Sequence, residues 1–407
     1  MSGERPEKTQ PVAREPVAGL PLLLFKLRTG GLAWLLRRMW REWKMPTTAP
    51  VRKFYLTVRR IRGFLLGTAR PTEPVDTPAL LCAFYDLGVA PVTFDFLWFL
   101  VGADLERRRR ALNGIRIIIV PGPNRGLRQE RLDYERVIGL EERRARVSNV
   151  LLPACRLLPS VVGITVAPSR AVADSLVISA GGQVFPADYE PGLPYYPRAD
   201  ICLAAARHGE QPIGALCATR YDGDAVRHWL EAHDCRLRVV TITLRSYAYM
   251  PARNSNHGAW LAFAKHLDRT RFSPVFVPDT SQTLDGLPEE FRAFPVFSEA
   301  AWNLGLRMAL YEQAYLNLGV NNGPMGLCWL NERTRYLTFK MLTESVPQTT
   351  AAYVASHGFE LGASLPFATP YQRWVWEDDD LPVIEREFAA MVRKIEHAPQ
   401  IALAAAR

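Results

Sequence analysis

Residues 238–267 read RVVTITLRSYAYMPARNSNHGAWLAFAKHL, and three textures follow one another along them. Residues 238–244 (RVVTITL) are a β-branched apolar run, the pattern of a strand buried on both faces in a parallel sheet. Residues 245–255 are polar and aromatic, a loop. Residues 256–267 carry a helical pattern, with Asn254 or Ser255 placed to cap its first turn. A strand, a loop and a helix in that order predict an α/β protein.

The same alternation extends both ways. Downstream, residues 274–277 (PVFV), 293–297, 315–320 (YLNLGV) and 336–339 read as strands, with helices over 299–314 and from Pro324. Upstream, residues 79–85 (ALLCAFY), 115–120 (IRIIIV), 161–166 (VVGITV) and 183–185 read as strands, with helices over 92–110 and 169–180. Two successive halves, 76–235 and 236–345, predict two Rossmann-like domains facing a cleft, with ligands at the C-terminal ends of the strands. Residues 346–407 read as a C-terminal helical segment that packs back on this body.

The composition agrees with a globular body. Of the 407 residues 48% are apolar and 22% charged, which excludes a mainly disordered chain. The net charge of +9 is unevenly spread, because residues 1–70 hold 15 Lys and Arg against 4 Asp and Glu. A near-neutral body argues against a nucleic-acid partner and shifts the question of an acidic one to the N-terminal segment. Residues 1–18 read as a disordered tail and 19–70 as basic amphipathic helices. Leu32, Leu35, Leu36, Met39, Trp40 and Trp43 form one stripe, and Val51, Phe54, Tyr55, Val58, Ile61 and Leu65 a second. Trp34, Arg37, Arg38, Trp40, Trp43, Arg59 and Arg60 are thus candidates for binding in the plane of an anionic membrane surface. The alternative is docking on the body or on a second subunit, which would give a homodimer.

Six scattered cysteines without a Cys-x-x-Cys point to free thiols in a reducing cytosol. Residues 80–103 could imitate a membrane span, but Asp86, Pro91 and Asp95 interrupt them. The expected location is therefore the cytoplasm, peripheral at the inner face of the membrane.

Candidate chemistry sits at strand ends. Arg245 ends one strand, Arg253 follows in the loop, and a helix N-terminus with Asn254 and Asn256 comes next, a combination suited to a phosphate. Asp279 ends another strand in Pro-Asp-Thr, where a carboxylate could accept from a ribose or equally close an Asx turn. Asn321, Asn322, Gly323 and Pro324 join a strand to a helix in a turn that could cradle a diphosphate or sugar. Between these, Glu299 opens a helix whose stripe, Trp302, Leu306, Ala309 and Gln313, reads as mostly core. In the first half, Asp86 leads the loop after the first strand, where an acceptor-side general base would lie, and Asp95 is a second candidate within the following helix. The acidic run 377–380 (EDDD) reads as an N-cap of the last helix rather than as a metal cluster. The seven histidines show no zinc spacing. Hydrolase, P-loop and dinucleotide motifs are absent from the sequence.

On these residues, 236–345 resemble the donor domain of GT-B glycosyltransferases, closest to fucosyltransferase-like enzymes and relatives in bacterial surface-polysaccharide clusters. The resemblance implies that Arg245 contacts the diphosphate of a nucleotide-sugar and Asp279 the nucleoside. The chain departs from the group at Thr243, where a His is expected, and at Ala248, where an Asp is expected. The expectation is a metal-independent glycosyltransferase without a cofactor, moving a sugar from a nucleotide-sugar to a polysaccharide or lipid-linked acceptor. A non-catalytic membrane scaffold and a nucleotide-sugar epimerase are the rivals.

Overall fold

The computed structural model describes residues 79–280 and 282–397, together with positions 32, 36, 54, 57 and 58. The first half is built from β1 (Leu80–Asp86), α1 (Phe96–Arg109), β2 (Gly114–Val120), α2 (Leu132–Val137), α3 (Leu140–Arg146), β3 (Val161–Val166), α4 (Arg170–Ser179) and β4 (Val184–Phe185). Its four strands are parallel, in the order β3-β2-β1-β4. Unbroken pairing of β1 with β2, from Leu80 opposite Gly114 to Asp86 opposite Val120, brings the loops after both strands to one end of the sheet.

α5 (Asp200–Arg207) and α6 (Arg220–Ala232) lead into the second half. There β5 (Arg238–Thr243), α7 (His257–His266), β6 (Phe272–Val277), α8 (Glu299–Trp302), α9 (Leu304–Gln313), β7 (Leu316–Val320), β8 (Tyr336–Phe339), α10 (Ala351–Ser356), β9 (Gln372–Trp374) and α11 (Leu381–Glu396) follow in turn. The five strands are again parallel, in the order β6-β5-β7-β8-β9. Residues 293–297 form no strand. A 3-10 turn, Glu289–Ala293, runs into them, and Pro295 can accept but not donate, so one bridge from Val296 to Phe276 is all that forms. Conversely β9 is only three residues, QRW, too short to carry a pattern of its own.

The two halves are not separated by a wet cleft along their whole contact. Leu97, Leu100 and Leu203 of the first half share one buried apolar cluster with Met308, Tyr311, Met325, Leu327 and Trp374 of the second. The segment before β9 also reaches back, setting Phe359 and Phe367 edge-on to Trp98. The arginines ending α1 do more than offset a helix dipole. Arg107 and Arg108 pair with Asp104, Arg110 with Glu106, and Arg109 with Glu210 beyond α5.

In the N-terminal segment Leu32, Leu36, Phe54 and Val58 are helical, and their exposure runs from 48% at Val58 to 75% at Leu32. The proposed anchor residues Trp34, Arg37, Arg38, Trp40, Trp43, Arg59 and Arg60 lie outside the described residues, as does the tail over 1–18. Among the described residues no helix is long and apolar enough to cross a membrane.

Candidate anion site at the strand ends of the second half

β5 lies inside its sheet, flanked by β6 and β7, and beyond its first residue it is wholly buried. The chain leaves it at Leu244, so Arg245 emerges where a parallel sheet presents its loops, and it is itself only 7% exposed. Its guanidinium is held by the loop that follows. Nη2 donates to the Tyr249 carbonyl at 2.8 Å, and Nη1 donates to the Met250 carbonyl at 3.1 Å and to Asn254 Oδ1. Met250 is in the left-handed region (φ 59°), which turns its carbonyl and that of Tyr249 inward before Pro251 starts a 3-10 turn. Ser255 Oγ accepts from the Arg245 amide at 2.8 Å, and Asn254 Oδ1 also accepts from the Tyr247 amide. Asn254 therefore shapes the loop.

Asn256, rather than Asn254 or Ser255, caps α7, its side chain accepting from the Ala259 amide at 3.2 Å. That helix N-terminus is already met by the chain's own acid. Asp379, 1% exposed, accepts from the Asn256 amide at 2.7 Å and from Trp260 Nε1 at 2.8 Å, and Asn256 Nδ2 donates to Asp380. The acidic run thus anchors α7 to the C-terminal segment. Asp380 occupies the cap position of α11 but makes no side-chain cap bond. Of the amides at this end of α7, that of Asn256 is taken by Asp379 and that of Ala259 by the Asn256 side chain.

Arg253 ends the 3-10 turn half-buried and donates from Nη2 to the Asn321 carbonyl at 2.9 Å. Burial, reinforced by repulsion from Arg245, pushes its pKa down to about 10, with Asp95 of the first half opposing. Burial likewise lowers Arg245, against the attraction of Asp279. Neither arginine forms an ion pair among the described residues. Two like charges set close together in a partly dry place, with carboxylates near but none in contact, favour an anion between them. Arg307, which the sequence did not single out, is a further buried cation in this half, beside Tyr311. It is 2% exposed, donates from Nε to the Ala300 carbonyl at 2.6 Å, and lowers the otherwise burial-raised pKa of Tyr311, whose hydroxyl lies 2.8 Å from Thr243 Oγ1. An Arg one turn into a helix looks like a surface residue in sequence, and only the fold turns it inward.

The Asn-Asn-Gly-Pro turn meets the first half. Asn321 Nδ2 donates to the Met341 carbonyl, and Asn322 accepts from the Met325 amide as an N-cap. A β-carbon on Gly323 would stand 2.6 Å from the Phe94 ring, so glycine is needed for Phe94 to lie this close. Pro324 continues the same 3-10 turn. Beside Phe94, Asp95 is exposed and sits at the N-cap of α1, not inside the helix. It accepts from Thr93 Oγ1 at 2.9 Å, and its charge is felt by Tyr85, Tyr196, Arg198 and Arg253.

Asp86 is placed differently from the expectation. It is 0% exposed, and both its oxygens are 2.9 Å from the terminal nitrogens of Arg170. It also accepts from the Tyr189 hydroxyl at 2.5 Å and from the Gly88 amide at 2.8 Å. A carboxylate with both oxygens engaged and no exposed surface is unavailable to an acceptor hydroxyl. It holds the β1 loop to α4.

Asp279 accepts from the Ser246 amide at 3.1 Å and so joins the loops after β5 and β6. Glu299 is exposed at the start of α8. Trp302, expected in the core, is 45% exposed at the rim, its indole donating to Thr283 Oγ1. The structure therefore brings Arg245, Arg253, Asn254, Asp279 and Asn321 together with Asp95, and leaves Asp86 and Asn256 to structural contacts.

No protein-family model matches the chain, and no curated protein matches it in sequence. Among solved structures it is similar to a glycosyl transferase of family 9 from Veillonella parvula, at 9% identity and a TM-score of 0.49, covering 77% of this chain and 97% of that one. It is similar also to the ADP-heptose lipopolysaccharide heptosyltransferase II of E. coli, at 11% identity and 0.46, covering 78% and 99%. The wall teichoic acid polymerase TagF matches at 9% identity and 0.29, covering 85% and 92%. At this level likeness assigns neither activity nor substrate, which must be argued from the site.

Proposed function

We propose that the chain is a glycosyltransferase that takes its donor as a nucleotide-sugar and needs no metal. The observation that carries this is the pair Arg245 and Arg253, two cations without an ion-pair partner among the described residues, set across from the exposed carboxylate of Asp95. The arginines are suited to the charge that develops on a leaving diphosphate, where fixed cations in a poorly solvated site act most strongly. Asp95 takes the proton of an acceptor hydroxyl as that oxygen bonds to the anomeric carbon. The carbon–oxygen bond to the diphosphate breaks, and its electron pair leaves with the nucleoside diphosphate. Asp279, Glu299 and the Asn321–Pro324 turn are the residues we assign to the rest of the donor.

The acceptor is read as a polysaccharide or lipid-linked glycan of the cell envelope, with the basic N-terminal helices holding the protein at the inner face of the membrane. The exposed Leu32, Leu36, Phe54 and Val58 favour this placement. Calorimetry with a panel of nucleotide-sugars tests the donor site. Arg253→Ala is expected to weaken binding roughly tenfold or more, since charge-assisted bonds are each worth about 1.5–3 kcal/mol. Unchanged binding would place the donor elsewhere. Asp95→Asn is expected to leave donor binding intact and lower transfer by roughly 10²–10⁴-fold.

A further inference from the structure

The loop that holds Arg245 is itself held by the first half. Tyr247 donates its hydroxyl to Glu142 Oε1 at 2.8 Å and accepts from Arg146 Nη2, and Arg146 pairs with Glu142 at 2.7 Å. Arg146 also donates from Nη1 to the Tyr134 hydroxyl at 3.2 Å. The Tyr249 ring stands edge-on to that of Tyr134, with centroids 5.0 Å apart and planes at 89°. Both tyrosines belong to the stretch whose carbonyls, those of Tyr249 and Met250, take donors of Arg245. Each terminal nitrogen of the Arg245 fork is therefore already donating within the chain. A guanidinium has five N–H donors, but bidentate grip of a phosphate end-on uses one from each terminal nitrogen.

We propose that Tyr247 is a positioning residue through which α3 of the first half governs the anion affinity of Arg245. With the Tyr247–Glu142–Arg146 junction closed, the loop carbonyls compete with the anion for the same fork. When the junction is released, the carbonyls are less firmly presented, and the fork turns to the stronger, charged acceptor. This rests on the reading of Arg245 as an anion-binding residue given above. The loop has the geometry for an exchange. Its turn passes through one left-handed non-glycine residue, Met250, a conformation that non-glycine residues hold at some cost.

The test uses the full chain with inorganic pyrophosphate as probe, binding being followed by calorimetry in Tyr247→Phe and, separately, Glu142→Gln. Each variant is expected to bind pyrophosphate roughly three- to tenfold more tightly than wild type, the equivalent of one or two hydrogen bonds withdrawn from the competing state. A tyrosine that only supported the fold would leave affinity unchanged or lower it, and either result overturns the proposal. Failure of wild type and both variants to bind pyrophosphate at all would instead remove the anion site itself. Glu142→Gln leaves Tyr247 itself unchanged while removing the carboxylate charge that Arg146 pairs with, so a gain there too separates release of the loop from damage at Tyr247.

Discussion

Asp86→Asn separates a carboxylate that does chemistry from one that holds the fold. In the wild-type chain Asp86 carries four bonds at zero exposure, two of them from Arg170, whose side chain is 30% exposed. An amide keeps one accepting oxygen, which can serve Gly88 and one nitrogen of Arg170. Its NH2 group then faces the other Arg170 nitrogen, donor against donor, and the Tyr189 hydroxyl keeps a bond only by turning to accept. Breaking a buried ion pair from one side costs about 3–5 kcal/mol, and the partial exposure of Arg170 puts the expected loss near the lower figure, about 3 kcal/mol. At about 2 °C per kcal/mol for a chain of this size, Tm should fall by about 6 °C, with a matching drop in the urea midpoint. Arg170→Met should cost a similar amount. The double variant should cost clearly less than the sum, because its second change no longer orphans a charge. A Tm within 1 °C of wild type, with sugar transfer abolished, would refute the structural account of Asp86 and restore it as the base.

Gly323→Ala should lower stability by about 1–3 kcal/mol, read as a shifted urea midpoint, because the added methyl meets Phe94. Phe94→Ala in the same chain should return part of that loss. Burial lowers the pKa of His257, with Asp379 partly opposing. Below about pH 6.5 the unfolded chain therefore binds a proton that the folded chain resists, so this residue withdraws stability as pH falls. His257→Gln should flatten that part of a Tm-against-pH curve between about pH 6.5 and 5.

The strand pattern carried most of the architecture, because parallel strands buried on both faces must be continuous apolar runs, and IRIIIV and RVVTITL are unmistakable as such. β9 and the failed strand at 293–297 escaped for the opposite reason: three residues have no period, and Pro295 looks tolerable until its missing N–H is needed. Around the strand end, the position of Arg245 was legible because an arginine just past an apolar run has only a strand end to occupy, and Arg253 fell in the loop that follows. Asp86 was misread because a carboxylate at a strand end looks the same whether it faces solvent or a partner 84 positions away, Arg170. Arg307 and Asp379 were hidden likewise, since their burial comes from segments distant in the chain.

The apolar cluster shared by both halves has a thermodynamic corollary. Leu97, Met308, Tyr311 and Met325 form one dry contact, so neither half has a complete interior without the other. Residues 79–235 made alone would show water the surface that the second half now covers, and should be sticky and molten. The full body should melt in a single calorimetric transition, its two sheets cooperating as one folding unit. Rigid-body opening of one sheet from the other is then as costly as partial unfolding, and the freest motion is left to the loops at the strand ends.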